Sequence, residues 1–425
     1  MTGDATGIRP APQPAEHPEP APPPLSEIAR QWGRIGCVGF GGPPAHIALL
    51  RELCVQRRHW LTNEQFERAI AATNLLPGPA STQLAIYCAW RLRGTRGALL
   101  GGVCFIAPGL IAIIALAVLF LSGSPPLWVR GAGMGAGAAV AAVALRAGLE
   151  IAGPIWARAA GRRARVLAYG LAGALAAARI GAWLVLVLLA CGALELTWEQ
   201  LRRGDPRAGA GIGGWLAPLG SRLARAATHP FGVRISSWPP LAAVAEQGSL
   251  LALAWTALKV GALAFGGGFV IVPLMQADAV STYHWMSHTQ FLNAVALGQI
   301  TPGPVVQTVA VVGYAAAGLP GALLASVVAF APSFSFILLG AQRFERLLSN
   351  ERVLAFLAGA APGAAGAIVG SAVPLAGALS RSWQYALLAA ACVSLLLLRR
   401  AIVPTLLLCG CAGVAAVLLG APAPS

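Results

Sequence analysis

Two cations stand at matching positions inside apolar segments of this chain. Lys259 is its only lysine, and the residue 225 positions earlier is Arg34. Each lies seven residues before the first glycine of a Phe-Gly-Gly, Arg34 before Phe40-Gly41-Gly42 and Lys259 before Phe265-Gly266-Gly267. A cation deep in hydrocarbon costs at least about 2.5 kcal/mol, so a repeated one needs a reason. Facing a shared interface, the pair would bind or neutralise an anion; close to a surface it would only snorkel. We carry the anion reading forward.

A second set of residues points the same way. Pro77-Gly78-Pro79 recurs as Pro302-Gly303-Pro304, again 225 positions on. Such breaks free backbone groups that hydrocarbon cannot satisfy, so they are tolerated where protein or a wet cavity surrounds them. A helix restarting after a break offers free N–H groups and the positive end of its dipole to an anion. Around the second break gather Thr73, Asn74, Ser81, Thr82 and Gln83 in one half, and Gln299, Thr301, Gln307 and Thr308 in the other. These neutral donors could replace the hydration shell of an oxyanion, or they could cap the interrupted helices. His59-Trp60 and His284-Trp285 repeat as well. A proton-coupling role for His59 and His284 competes with the simpler reading of an interfacial Trp beside a locally bonded His.

The elements that must position these residues are membrane helices. The chain has 425 residues, 57% hydrophobic and 11% charged. An ordinary soluble domain is about 25% charged. Apolar stretches such as 97–122 reach the roughly 20 residues that a crossing needs. The net charge of +15 comes from arginines in short segments between apolar runs, which is the distribution of membrane topology and not of a nucleic-acid-binding face. The eight cysteines show no metal-ligand spacing and read as small packing residues. No phosphate loop, metal cluster or paired nucleophile appears, so an enzyme, an ATPase and a bound cofactor are not expected.

The repeat divides the chain into a Pro-rich, disordered leader (1–25), a first transmembrane repeat (26–196), a basic cytoplasmic linker (197–248), a second repeat (249–420) and a short tail (421–425). Loop arginines indicate that the repeats are inverted. Arg51, Arg57, Arg58, Arg91, Arg93 and Arg96 flank the first Pro-Gly-Pro segment, whereas the matching loops of the second half hold no Lys or Arg. The bias then reverses, with Arg343, Arg346 and Arg352 against a single arginine in the equivalent loop of the first half. The expected fold is therefore an all-α polytopic membrane protein of two inverted-topology repeats. Five crossings per half give about ten full transmembrane helices, plus two broken or re-entrant Pro-Gly-Pro hairpins, with both termini external.

Phe40-Gly41-Gly42-Pro43, Phe265-Gly266-Gly267-Gly268 and the paired Pro-Gly-Pro turns, with His-Trp between them, resemble the chromate ion transporter family in its long, two-domain bacterial form. The resemblance covers about residues 26–195 and 249–420. It implies a multi-pass carrier of the bacterial inner membrane that exports chromate and confers chromate resistance, driven by the proton gradient or by exchange for a counter-anion. Sulfate, a similar dianion, is the natural competitor. The alternatives are a permease for sulfate or another oxyanion and, from a different class, a non-transporting membrane scaffold or receptor. A homodimer is compatible with the resemblance.

Overall fold

A computed structural model describes residues 22–76, 78–121, 125–179, 184–203, 250–264, 271–340 and 350–422. Most of the leader and of the linker lie outside them, as do Pro77 and Phe265, Gly266 and Gly267. Among the described residues the chain is helical throughout, with no strand.

The first half comprises α1 (Leu25–Val38), α2 (Pro43–Arg51), α3 (Asn63–Leu75), α4 (Ala80–Phe120), α5 (Leu127–Ala157), α6 (Arg163–Arg179) and α7 (Leu184–Arg202). The second comprises α8 (Leu250–Leu263), α9 (Ile271–Gln276), α10 (His288–Ile300), α11 (Thr308–Gly340), α12 (Glu351–Gly377), α13 (Ser382–Cys392) and α14 (Ile402–Leu418). The sequence offset survives as geometry. α8 and α10 have the bounds of α1 and α3 displaced by 225, and so do the π-helical turns Glu52–Arg57 and Ala277–Thr282. Each π turn runs into a left-handed residue, His59 at φ 50° or His284 at φ 53°. The spacings Thr62/Gln65 and Ser287/Gln290 both form reciprocal capping boxes.

α4 and α11 each fold back on themselves. At Gly94 (φ 58°) and Gly318 (φ 65°) the backbone enters the left-handed region that favours glycine. Beyond the bend, Gly101 lies on Ala89, and Gly321 lies on Gly313. The arm following each Pro-Gly-Pro is thus short, and only the arm after the bend can cross.

The broken segment α1–α2 corrects the expected topology. Its two ends meet: Glu27 of α1 pairs with Arg58 just beyond the π turn at 2.8 Å, and Trp32 stacks on Trp60. Arg51 reaches Asn63 at the start of α3, and Arg93 donates to the Pro23 carbonyl at 2.7 Å. The outer ends of α1, α2, α3 and the first arm of α4 therefore share one side. Both interrupted segments of this half are re-entrant hairpins with their tips inside. A 14-residue helix is only about 21 Å long, short of the roughly 30 Å of hydrocarbon, which is why α1 turns back. Five described stretches are long and apolar enough to cross: α4, α5, α7, Val305–Gly340 and α12. With α6, α13 and α14 packed alongside, eight stretches among the described residues run through the bundle, and the count of ten full crossings is not confirmed. α1 starts on the side where Arg51, Arg58 and Arg93 lie.

Helix registers show the inversion directly. α7 is antiparallel to α12, since Gly359 lies on Glu195 and Gly363 on Leu188. α6 runs with α12, Gly170 facing Gly366 and Ala174 facing Gly370. α5 is antiparallel to α14, with Gly131 on Gly413 and Gly135 on Cys409. Short turns join α5 to α6, and α12 through α13 to α14. By both routes α5 and α12, which are equivalent in the repeat, run in opposite senses. Each half also lays its last helices on the long helix of the other, α6 and α7 on α12, α13 and α14 on α5. The halves interlock.

Candidate functional site

The hairpin tips meet in the middle of the molecule. The N–H of Gly303 donates to the Gly39 carbonyl at 3.0 Å, joining the first break of one half to the second break of the other. Pro302 presses its carbonyl against Gly109, and Gly42 faces Val305. Inversion explains the meeting: hairpins entering from opposite faces can touch only at their tips.

A cavity of about 790 Å3 opens beside this junction. Gly41, Gly42, Asn74 and Gly78 line it from the first half and Gln299 from the second. Five sequence candidates thus share one space. The rest of the wall is mostly Ala, Ile, Leu and Pro from α5 and α12, whose small side chains leave the room. Its charged lining is Glu150, Arg158 and Arg162. The arginines belong to the turn between α5 and α6, at the end of α5 remote from the junction, so the cavity runs from the hairpin tips to a cationic mouth.

The polar residues of the breaks divide into two groups. The hydroxyls of Thr73, Thr301 and Thr308 bond carbonyls of their own turn, at Ala69, Leu297 and Val305, and act as caps. Ser81 bonds Nδ1 of the buried His46, whose Nε2 meets the Gly39 carbonyl at 2.9 Å. Thr82 Oγ1 and Gln299 Nε2 are buried without a hydrogen-bond partner. Gln307 donates to the Ile106 carbonyl at 2.8 Å, and its Oε1 has no partner. Unmet polar atoms on buried side chains, whether the donors of Thr82 and Gln299 or the acceptor of Gln307, are costly unless a ligand or water completes them. Gly78 leaves space that a Cβ would close against Gln83 Nε2 at 2.5 Å. Pro79 and Pro304 stand at the starts of the following helices as their N-caps.

The remaining candidates lie apart. Arg34 is exposed on α1 in a small cleft with Gln31, Glu52 and Arg57, and is not among the residues lining the cavity. Lys259 meets Asp278 at 2.5 Å, and Thr256 donates to the same carboxylate at 3.0 Å. Phe40 is 44% exposed. His59 and His284 are exposed turn residues. Pro77, Phe265, Gly266 and Gly267, also expected at the site, fall outside the described residues. The cavity cations Arg158 and Arg162 were visible in the sequence only as part of an arginine-dense loop. Among the described residues no group of three or more His, Cys, Asp or Glu could hold a metal ion.

Comparison with known proteins agrees with this architecture. The family model described as chromate transporter matches residues 26–196 and 251–416. A chromate transport protein of Cupriavidus metallidurans is 32% identical over 388 residues, covering 88% of each chain. One of Pseudomonas aeruginosa is 30% identical over 84% of this chain and 83% of its own. An uncharacterized transporter of Methanocaldococcus jannaschii is 29% identical over 75% of this chain and 76% of its own. No solved structure matches. The duplicated match, taken with two interlocked repeats built on broken helices, fixes the assignment: this multi-pass membrane protein belongs to the chromate transporter family.

Proposed function

We propose that the chain exports chromate from the cytoplasm across the bacterial inner membrane by alternating access, driven by the proton gradient or by exchange for a counter-anion. The observation that carries this reading is a cavity lined by break residues of both halves and mouthed by Arg158 and Arg162. By the positive-inside rule that mouth faces the cytoplasm, where an exporter loads. The carriers of the anion in this reading are Gly41, Gly42, Asn74, Gly78 and Gln299, through backbone and amide donors, with Thr82 offering its hydroxyl. Gly303 and Gln307 spend their donors on the Gly39 and Ile106 carbonyls and shape the site instead. The charge compensation first sought in Arg34 and Lys259 passes to the two mouth arginines.

Chromate flux in inverted vesicles, with the proton gradient present and then collapsed, tests the proposal. Accumulation in inverted vesicles is expected, and its loss on collapse identifies proton coupling. Accumulation that needs a trapped counter-anion instead identifies exchange. Absence of chromate movement under either condition sinks the export reading. Transport of sulfate that chromate does not inhibit would replace it with a sulfate permease.

A further inference from the structure

The mouth arginine Arg162 is shared with a carboxylate. Glu195 on α7 is almost fully buried, with its side chain 3% exposed, at the seam where α7 meets Gly359 of α12. Arg162 Nη1 donates to its Oε1 at 3.1 Å. Arg165 donates to both oxygens, at 3.0 and 3.2 Å, and the Tyr169 hydroxyl donates to Oε2 at 3.1 Å. Arg165 is also held over Trp198, 4.9 Å from its ring centre.

Two features of this cluster are unequal. Arg165 binds Glu195 with a fork and is fixed by an aromatic face, whereas Arg162 gives it one bond and stands 36% exposed in the cavity wall. Removing a sole partner from a buried carboxylate would be costly. Glu195 would keep Arg165 and Tyr169 if Arg162 swung away, so that cost is small. The neighbouring charges also balance suggestively. Arg146, Arg158, Arg162 and Arg165 stand against only Glu150 and Glu195, with Glu150 paired to Arg146 at 2.7 Å and Glu195 to Arg165, so the group carries two positive charges in excess even though Arg162 also touches Glu195. Two positive charges at one mouth match a dianion and exceed what a monoanion needs.

We infer that Arg162 is a releasable guanidinium: Glu195 holds it in the empty protein, and an incoming tetrahedral dianion draws it off to bind between Arg162 and Arg158. Glu195 is then a positioning residue and an internal competitor, weakening the mouth site enough for the anion to move on. This rests on the transport reading above only for the direction in which the anion moves.

Equilibrium dialysis of labelled chromate against the purified full chain in detergent tests it. Glu195→Gln should tighten binding about tenfold, because the competing charge is gone. Arg162→Gln should weaken it by a similar factor. The double variant should bind like Arg162→Gln alone, since Glu195 acts through Arg162. A merely structural role for Glu195 would loosen binding, never tighten it. Unchanged or weaker binding by a folded Glu195→Gln protein overturns the inference, as does a double variant whose effects simply add. Should Glu195→Gln not fold, Glu195→Asp, with its shorter reach to Arg162, should shift affinity the same way by less, and failure to do so overturns the inference equally. Wild-type protein that binds chromate with these variant effects but moves none in vesicles would sink the transport reading and leave this one standing.

Discussion

At the scale of single residues, Lys259 shows how far a charge in an apolar segment can be read. Its depth was legible, because one lysine in 425 residues stands opposite an arginine in the repeat. Its partner was not, because Asp278 aligns with Leu53 and the comparison of halves conceals a charge that only one half carries. The ammonium is already neutralised at 2.5 Å, and Trp255 stands beneath it with its ring centre 5.9 Å away. Lys259→Ala should therefore strand Asp278 and cost about 3–5 kcal/mol, seen as a lower midpoint of thermal unfolding in detergent. Combining Lys259→Met with Asp278→Leu, the residue type of the other half, should recover most of that loss and retain chromate flux. Flux that vanishes while the double variant is as stable as wild type would return Lys259 to the anion site.

Among the elements, the two kinds of break were readable to different degrees. The Pro-Gly-Pro segment announced a re-entrant hairpin, since its flanks in the first half are both basic and its arms short. α1–α2 did not, because residues 28–50 are apolar enough to pass for a span and Glu27–Arg58 is a contact between positions that no local pattern links. The inverted orientation was legible from loop arginines, and the helix registers agree with it. Which helices would cross between the halves was not legible, because apolar faces of Gly and Ala look alike until they are paired. The pairings are close: Gly173 lies directly on the backbone of Gly363, where α6 meets α12. Small residues allow that approach, and packing rather than the hydrophobic effect holds such helices together. Gly173→Leu should separate the helices and destabilise the protein by at least about 1–3 kcal/mol. Gly153→Ala, where an added Cβ meets nothing within 4 Å, should be neutral or slightly stabilising in the same unfolding assay.

Over the whole molecule, the α1–α2 break of the first half and the α10–α11 break of the second meet beside a cavity that opens toward the α5–α6 turn. Under the proposed alternating-access cycle the structure would represent one of its faces, and accessibility should be lopsided. Ala358 and Ala361 line the cavity on α12. In a cysteine-free background, Ala361→Cys should react with a membrane-impermeant thiol reagent in inverted vesicles and much more slowly in right-side-out cells, and chromate should slow the reaction. Equal labelling from both sides would contradict a one-sided cavity.

The contact between Gly303 and Gly39 carries one more consequence. It joins main-chain atoms only, so of the side-chain changes only proline at residue 303, which has no N–H, deletes it, while alanine at Gly39 or at Gly303 (φ 96°) would disturb the joint by crowding or strain without removing the bond. The cavity wall is free to diverge from one relative to another, and with it the choice of cargo, while the joint keeps its chemistry. Isolating it experimentally calls for altering the backbone itself, by replacing the amide of residue 303 with an ester that lacks the hydrogen.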